Sequence, residues 1–292
     1  MLNSLKVGFF RWFYRYSTDR AWKGHAAPVA GSDITLNSPH GALPARVYQG
    51  SDAASRPLVL YIHGGGWVIG DLKTHDHYCA SLADASGATV VALDYRLAPE
   101  HPFPAAQDDA LAAARAILES SEITGSHTGQ LLLAGDSAGG HLSLTTALEA
   151  DDTLRQKICA VIATYPVVNH CSADYLSYVE RASGQALTTT IMVWFWKNYL
   201  GNTDPDSSEA QRAYPIRSDR LASLPPVLLC TCERDPLRDE GRAMVDALRE
   251  AGVSVDYTHY PDSEHGFACS LGPTPDFQDW LGRCADWIRQ PR

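Results

Sequence analysis

The chain has 292 residues, of which 45% are hydrophobic, and its 24 basic against 34 acidic residues give a net charge of −10. This composition is typical of a soluble globular protein, and the length predicts one large domain with an embellishment. The negative charge lacks the basic footprint that nucleic-acid phosphates require, so we expect no nucleic-acid partner.

The first 24 residues, MLNSLKVGFFRWFYRYSTDRAWKG, combine aromatic side chains with five basic ones and predict an amphipathic helix. Its aromatic face either packs on the protein itself or contacts a membrane surface. We favour packing and expect no membrane contact. Charges also interrupt the segment too often for a signal peptide, and no apolar run elsewhere reaches the length of a spanning helix. We therefore expect a cytoplasmic protein.

Short β-rich apolar runs then alternate with helical stretches as far as the C-terminus, which predicts an α/β fold with a parallel sheet and crossover helices. We predict eight strands, the first two antiparallel at one edge: ITLNS, ARVYQ, PLVLYI, ATVVALDY, QLLLAG, ICAVIATY, PPVLLCTC and VSVDYTHY. The predicted helices are THDHYCASLADAS, PAAQDDALAAARAILES, AGGHLSLTTALEA, LRDEGRAMVDALREAG and DFQDWLGRCADWIR.

One stretch breaks this alternation. Between ICAVIATYP and PPVLLCTC lie about 60 residues, including LTTTIMVWFWKNYLG, which is far more than a crossover needs. The excess predicts an inserted helical cap. We expect a catalytic core of residues 31–169 and 216–292, and a cap over the active site made of residues 1–30 and 170–215.

The cysteines are odd in number, scattered and mostly set in apolar runs, which indicates buried free thiols in a reducing compartment. Cys230 and Cys232 form a C-x-C pair on a predicted strand, with no second cluster at metal-ligand spacing. We therefore expect no metal site. The seven are Cys79, Cys159, Cys171, Cys230, Cys232, Cys269 and Cys284.

The sharpest motif is Gly135-Asp136-Ser137-Ala138-Gly139, a G-x-S-x-G between the predicted strand QLLLAG and the predicted helix AGGHLSLTTALEA. A nucleophilic serine on a tight strand-to-helix turn needs this context, because small flanking residues leave the turn room to close. The helix directs its N-terminal N–H groups and dipole toward the serine. The motif predicts Ser137 as a nucleophile.

A serine hydroxyl needs a base to remove its proton and a third group to orient that base, in the chain order Ser, acid, His. Asp235 follows the strand PPVLLCTC on the side where active sites of parallel sheets gather. Asp239 is the alternative acid, but it is expected inside the next helix as a solvated or capping carboxylate. His265 is the histidine that follows the acid on a loop beyond the last strand, so we predict it as the base.

Acyl transfer also needs donors where negative charge develops, and the loop His63-Gly64-Gly65-Gly66-Trp67 follows the strand PLVLYI in a suitable position. Glycines allow backbone N–H groups to approach a substrate. A phosphate-binding loop is disfavoured, because no G-x-x-x-x-G-K-[ST] motif is present.

With these motifs the chain resembles the hormone-sensitive-lipase-like, or bacterial family IV, esterases of the α/β-hydrolase superfamily. The resemblance extends from about residue 30 to the end and rests on five segments in order. These are HGGGW followed by VIGDLKTHD, then DYRLAPEHPFPAAQDD, GDSAGG, DPLRDEG and HGF.

The resemblance implies an α/β-hydrolase fold, with an eight-stranded, mostly parallel sheet flanked by helices and covered by a helical cap. It implies a Ser137, His265 and Asp235 triad that cleaves short- to medium-chain acyl esters without metal or cofactor. The implied oxyanion donors are the N–H groups of Gly64, Gly65 and Ala138. The candidate substrate-binding residues are Trp67, Trp194, Phe195 and Trp196, with helix packing as the alternative role for each of the last three.

Two other functions remain open at this stage. An amidase, peptidase or long-chain lipase could use the same triad, since amides and esters pass through the same oxyanion. A ligand receptor on the same scaffold is disfavoured because His265 is present. The sequence also leaves the choice between monomer and homodimer open.

Overall fold

The computed structural model describes residues 2–181 and 186–290. Within them, one eight-stranded sheet has the order β1-β2-β4-β3-β5-β6-β7-β8. β1 pairs antiparallel with β2 and β2 with β4, whereas the remaining neighbours are parallel, so the predicted α/β fold is confirmed. The strands are β1 (Ser32–Ser38), β2 (Gly41–Tyr48), β3 (Leu58–Ile62), β4 (Val90–Leu93), β5 (Leu131–Asp136), β6 (Ile158–Thr164), β7 (Val227–Arg234) and β8 (Val255–Glu264).

Helices follow most strands and cover both faces of the sheet. The α-helices of the described residues are α1 (Leu2–Ala21), α2 (Asp76–Ser86), α3 (Ala105–Glu119), α4 (Ser121–Thr124), α5 (Ala138–Glu149), α6 (Asp152–Arg155), α7 (Leu176–Glu180), α8 (Thr189–Leu200), α9 (Arg238–Glu250) and α10 (Pro275–Arg289). Short 3-10 helices span Ala53–Ser55, Ala210–Ala213, Pro215–Arg217 and Leu221–Ser223.

The central strands are apolar over most of their length because helices bury both of their faces. Every residue of β3, β4 and β5 is buried, whereas the edge strand β1 is mostly exposed. The core consequently has two layers. Leu142 of α5 belongs to the layer on one face of the sheet, and Trp280 of α10 belongs to the layer on the other. This packing holds the carboxyl ends of β3, β5, β7 and β8 along one edge.

Several element boundaries differ from the prediction; β2, for example, begins at Gly41, four residues before the predicted start at Ala45. β8 continues to Glu264, four residues beyond the predicted end at Tyr260, and Arg234 of β7 pairs with Glu264 after a bulge. The polar residues at 262–264 concealed this extension. The helix α7 was not predicted, and residues 182–185 of the predicted cap lie outside the described residues.

All seven cysteines are free thiols, as predicted, and five of them are buried. Cys230 and Cys232 lie side by side in one core layer. In the described part of the chain, none of the helices combines the length and the apolar character that crossing a membrane requires.

Candidate active site

Ser137 lies on the turn between β5 and α5, with φ 54° and ψ −117°. The turn depends on its glycines. A Cβ at Gly135 would approach the carbonyl oxygen of Ile62 to 2.5 Å, and one at Gly139 would approach it to 1.8 Å. A side chain at either position would push β3 away from the turn. The sequence therefore presents the serine hydroxyl at the edge of the sheet, at the N-terminal end of α5.

Two hydrogen bonds join Ser137, His265 and Asp235. His265 Nε2 lies 2.9 Å from Ser137 Oγ, and His265 Nδ1 lies 2.7 Å from Asp235 Oδ2. The fully buried Asp235 also accepts the N–H of Leu237 at 2.9 Å, which fixes the carboxylate. With Nδ1–H donating to the carboxylate, Nε2 is left to accept the proton of Ser137.

The alternative acid, Asp239, is held elsewhere. Its Oδ2 accepts the N–H of Ser177 at 2.8 Å, at the start of α7, and its Oδ1 pairs with Arg238 at 2.7 Å. These contacts and Arg242 keep the pKa of Asp239 below its usual range although burial acts to raise it. Asp239 therefore anchors α7 to α9.

The glycine loop after β3 differs from the expectation in one donor. The Gly64 N–H donates to Asp136 Oδ1 at 2.9 Å, so this N–H points away from the serine and cannot bind an oxyanion. Gly65 and Gly66 line the pocket in front of Ser137 and have φ +115° and +56°. Among the described residues, no acceptor is bound by the N–H groups of Gly65, Gly66 and Ala138.

Asp136 ties the glycine loop to the nucleophile turn. Besides the Gly64 N–H, its Oδ1 accepts the hydroxyl of Tyr61 at 2.7 Å and lies 3.3 Å from His75 Nε2. Burial alone would raise the pKa of Asp136, but attraction to His75 and the hydrogen bonds outweigh it and lower the pKa. Asp136 is thus an ionised, buried carboxylate directly beside Ser137.

His75, Asp136 and Cys269 each place one ligand-type atom within 4.8 Å of the others. Burial raises the pKa of the Cys269 thiol well above its usual range, which keeps the thiol protonated. Tyr61 contacts both Asp136 and Cys269 Sγ, the latter at 3.3 Å. Tyr61 thereby joins the Asp136 carboxylate and the Cys269 thiol in one hydrogen-bonded cluster next to Ser137.

A mostly apolar pocket of about 410 Å³ opens in front of Ser137. Of the predicted substrate-binding residues, Phe195 lines it and packs against Gly66. Sequence reasoning did not identify the other apolar walls, although their spacing on α1 was visible. These walls are formed by Phe10, Phe13, Tyr14 and Ala21 of α1, Ile191 of α8, and Ile69, Leu187 and Leu271 from loops.

The three predicted tryptophans do not line this pocket. Trp67 is fully buried, stacks on Tyr199 at 4.1 Å, and donates its Nε1–H to Nδ1 of His141 at 3.2 Å. Trp196 is buried against Trp67 at 4.6 Å. Trp194 stacks on Phe10 at 5.1 Å, so it holds α1 against α8. Their roles lie in packing.

Polar contacts attach the helices over the pocket to the core. Arg11 of α1 donates to the carbonyl of Val68 at 2.8 Å, next to the glycine loop. Glu240 of α9 accepts the N–H of Val168 and the hydroxyl of Tyr178, both at 2.8 Å. Burial raises the pKa of Glu240 to about 8.

With this geometry in place, the chain was compared with known proteins. Residues 59–269 match the family described as alpha/beta hydrolase fold. The chain is 37% identical over 246 residues to Esterase LipI of Mycobacterium tuberculosis, covering 83% of this chain and 76% of the relative. It is 36% identical over 247 residues to the Ethyl acetate hydrolase of Pseudomonas putida, covering 82% of this chain and 76% of the relative.

Solved structures give the same result over almost the whole chain. A hyperthermophilic esterase from the archaeon Pyrobaculum calidifontis superposes with a TM-score of 0.90 at 37% identity, covering 97% of this chain and 90% of that one. EstE1, a thermostable carboxylesterase cloned from a metagenomic library, superposes with a TM-score of 0.90 at 33% identity, covering 98% of both chains.

Proposed function

Because the chain belongs to the α/β-hydrolase family and is a carboxylesterase of the hormone-sensitive-lipase-like group, we propose that it cleaves esters through an acyl-enzyme on Ser137. The observation that carries this proposal is the continuous hydrogen-bonded chain Ser137, His265 and Asp235, with distances of 2.9 and 2.7 Å. Each partner lies at the distance that proton transfer and orientation require.

In the first half of the cycle, Ser137 Oγ attacks the ester carbonyl while its proton passes to His265 Nε2. The Asp235 carboxylate stabilises the resulting imidazolium and stays ionised. The tetrahedral intermediate then collapses, the bond to the alcohol oxygen breaks, and His265 returns the proton to the departing alcohol. In the second half, water takes the place of Ser137 as nucleophile, and the acid leaves with Ser137 restored.

The negative oxygen of each intermediate is assigned to the N–H groups of Gly65, Gly66 and Ala138. The first two stand on the pocket wall and the third begins α5, so all three are available to one atom near Ser137. Donors held in place before the reaction cost no reorganisation as the charge develops. Gly64 has a supporting role, since its N–H bonds to Asp136.

We further propose that the pocket accepts short- to medium-chain acyl esters. A mostly apolar pocket of about 410 Å³ suits a small ester. One relative is named for the hydrolysis of ethyl acetate and another is named an acetyl-hydrolase. Residues 1–30 and 170–215 are proposed as the cap over the core of 31–169 and 216–292, because α1 and α8 supply Phe10 and Phe195 to the pocket wall.

The test is hydrolysis of p-nitrophenyl esters from acetate to palmitate by the intact chain, Ser137→Ala and Ser270→Ala. Ser270 is the matched control because it lines the same pocket, where its hydroxyl donates to Gly266. We expect activity that falls with chain length, disappears in Ser137→Ala and persists in Ser270→Ala. Equal rates in the intact chain and Ser137→Ala would reject the mechanism.

The remaining alternatives concern the bond and the chain length. A palmitate rate above the acetate rate would favour a long-chain lipase. Faster turnover of the matching anilides than of the esters would favour an amidase.

A further inference from the structure

Helix α1 has two apolar faces, and only one of them packs on the protein. Val7 is buried, and Phe10 and Tyr14 are partly buried against the same core layer. On the opposite side, five large side chains are between 49% and 70% exposed, and we call them the aromatic ridge: Leu5, Phe9, Trp12, Phe13 and Tyr16. They recur at spacings of three and four residues, which places them on one face of the helix. The expected inward packing thus accounts for half of the helix.

Side chains of the aromatic ridge stack on one another. Phe9 and Phe13 stack with ring centres 6.1 Å apart, and Trp12 and Tyr16 stack at 5.6 Å. Because neighbouring rings hold one another, little side-chain freedom would be lost when the ridge is covered. Contiguous exposed apolar surface rimmed by charges is typical of an interaction site.

The charges of this segment differ from those of the rest of the chain. Residues 1–24 hold five basic residues and one acidic residue, which gives this segment a net charge of +4. Because the whole chain has a net charge of −10, the remaining residues together have a net charge of −14. Arg11 and Arg15 are paired with Glu100 and Asp71. Arg20 lies one helical turn after Tyr16, and Lys23 lies in the turn that follows α1. Both are exposed, and within the described residues neither forms an ion pair with an acidic group within 4 Å.

We propose that the aromatic ridge, with Arg20 and Lys23, docks α1 on a lipid–water interface that carries anionic headgroups. Aromatic side chains beside basic ones are the composition of helices that lie in such interfaces. A second copy of the chain suits the surface less well. A two-fold contact would bring equal patches together, and the ridge itself holds no acidic residue that could pair with Arg20 or Lys23 of the other copy.

Docking in this way would also define the substrate. Phe13 belongs to the ridge and to the pocket wall, and Leu271, 39% exposed, lines the pocket as well. The pocket mouth would therefore face the apolar layer, and esters dissolved in that layer would enter directly. This second step rests on the proposed esterase function, whereas the binding step does not.

The experiment measures binding of the full chain to vesicles of phosphatidylcholine alone and of phosphatidylcholine with an equal amount of phosphatidylglycerol. We expect binding to the anionic vesicles, reduced by about tenfold or more in Phe9→Gln/Trp12→Gln. Arg20→Gln/Lys23→Gln should lose about 30-fold, since each cation near an anionic surface contributes about fivefold. The matched control is Leu176→Gln/Val179→Gln on α7, which changes a pair 62% and 71% exposed outside the ridge and should bind like the parent.

Absence of binding by the parent chain, or equal binding by Phe9→Gln/Trp12→Gln, would overturn the proposal. So would self-association that these substitutions abolish in a chain that ignores vesicles, because the ridge would then contact a second copy. Hydrolysis of p-nitrophenyl acetate without vesicles should stay unchanged in Phe9→Gln/Trp12→Gln and in Arg20→Gln/Lys23→Gln. A chain that binds vesicles but hydrolyses no ester would refute the proposed function and leave the docking surface standing.

Discussion

Asp136 provides a test of how the oxyanion loop is held in place. Its Oδ1 accepts hydrogen bonds from the Gly64 N–H at 2.9 Å and from the Tyr61 hydroxyl at 2.7 Å. Asp136→Ala removes the acceptor of the Gly64 N–H and leaves the Tyr61 hydroxyl only the weak acceptor Cys269 Sγ at 3.3 Å. We expect a cost of about 1–3 kcal/mol for each donor, or roughly 2–6 kcal/mol of folding free energy. Asp136→Asn keeps an acceptor but removes the charge, and we expect it to lose about 1 kcal/mol per bond.

The expected loss of activity in the Asp136 variants has a different cause from the loss of stability. Once Gly64 is released, the following N–H groups of Gly65 and Gly66 lose their fixed direction. Loss of one oxyanion donor costs about 10²- to 10³-fold in rate. We therefore expect Asp136→Ala to lower kcat by about 10²-fold while KM changes little, because the loop acts on the transition state. Asp136→Asn should lie between this variant and the parent.

The assay combines kcat and KM for p-nitrophenyl butyrate with urea unfolding of each variant. Asp94→Asn is the control, because its carboxylate lies near the same loop but 3.9 Å from His63 Nε2, beyond hydrogen-bonding distance. A folded Asp136→Ala variant with parental kcat would refute the reasoning. The loop would then be held by other contacts, such as the Tyr95 hydroxyl on the carbonyl of His63 at 3.0 Å.

Three further predictions concern the pocket, the turn and pH. Phe195→Ala should raise the turnover of longer acyl esters relative to acetate, because it removes part of the pocket wall; an ester series measures this. Trp196→Ala, at the buried neighbouring residue, should lower the free energy of unfolding by about 3–5 kcal/mol without changing that preference, as urea unfolding and the same ester series would show. Gly66→Ala should lower kcat by about 10²-fold, since its Cβ would meet the Phe195 ring at 2.2 Å; unchanged kcat would contradict this. For Glu240, a pKa raised to about 8 favours the protonated folded state, so its contribution is present below about pH 4.5 and is lost as pH rises through about 8. Glu240→Gln should remove a loss on the order of 5 kcal/mol across that range, measured by urea unfolding at both ends. Parallel curves for the two proteins would refute it.

The positions that the sequence located best are those with a stringent local requirement. Ser137 could be placed because its turn admits only small neighbours at 135 and 139, which leaves a recognisable spacing. His265 and Asp235 could be placed because a parallel sheet brings the residues that follow its strands to one edge. These requirements operate over a few residues, so a linear pattern reveals them.

The pocket walls could not be read in this way. Helix α8, TTIMVWFWKNYL, is apolar on nearly every side, so periodicity does not show which residues face the pocket. Only the structure shows that Ile191 and Phe195, one helical turn apart, line the pocket. Trp194 and Trp196 lie about 100° around the helix axis from Phe195, one on each side of it. The role of Asp136 was hidden for a similar reason, since its partners Tyr61 and His75 are distant in sequence.

The chemistry and the specificity of this site reside on different parts of the chain. Ser137, Asp235 and His265 follow strands of the buried sheet, within the segment 59–269 that matches the family. One wall of the pocket comes instead from α1, which lies wholly outside that segment and attaches through side-chain contacts such as that of Arg11 with Val68. Under the proposed mechanism, substitutions on the inner face of α1 would change which ester fits without moving Ser137, His265 or Asp235, whereas substitutions in the turn at Ser137 would decide whether any ester is cleaved.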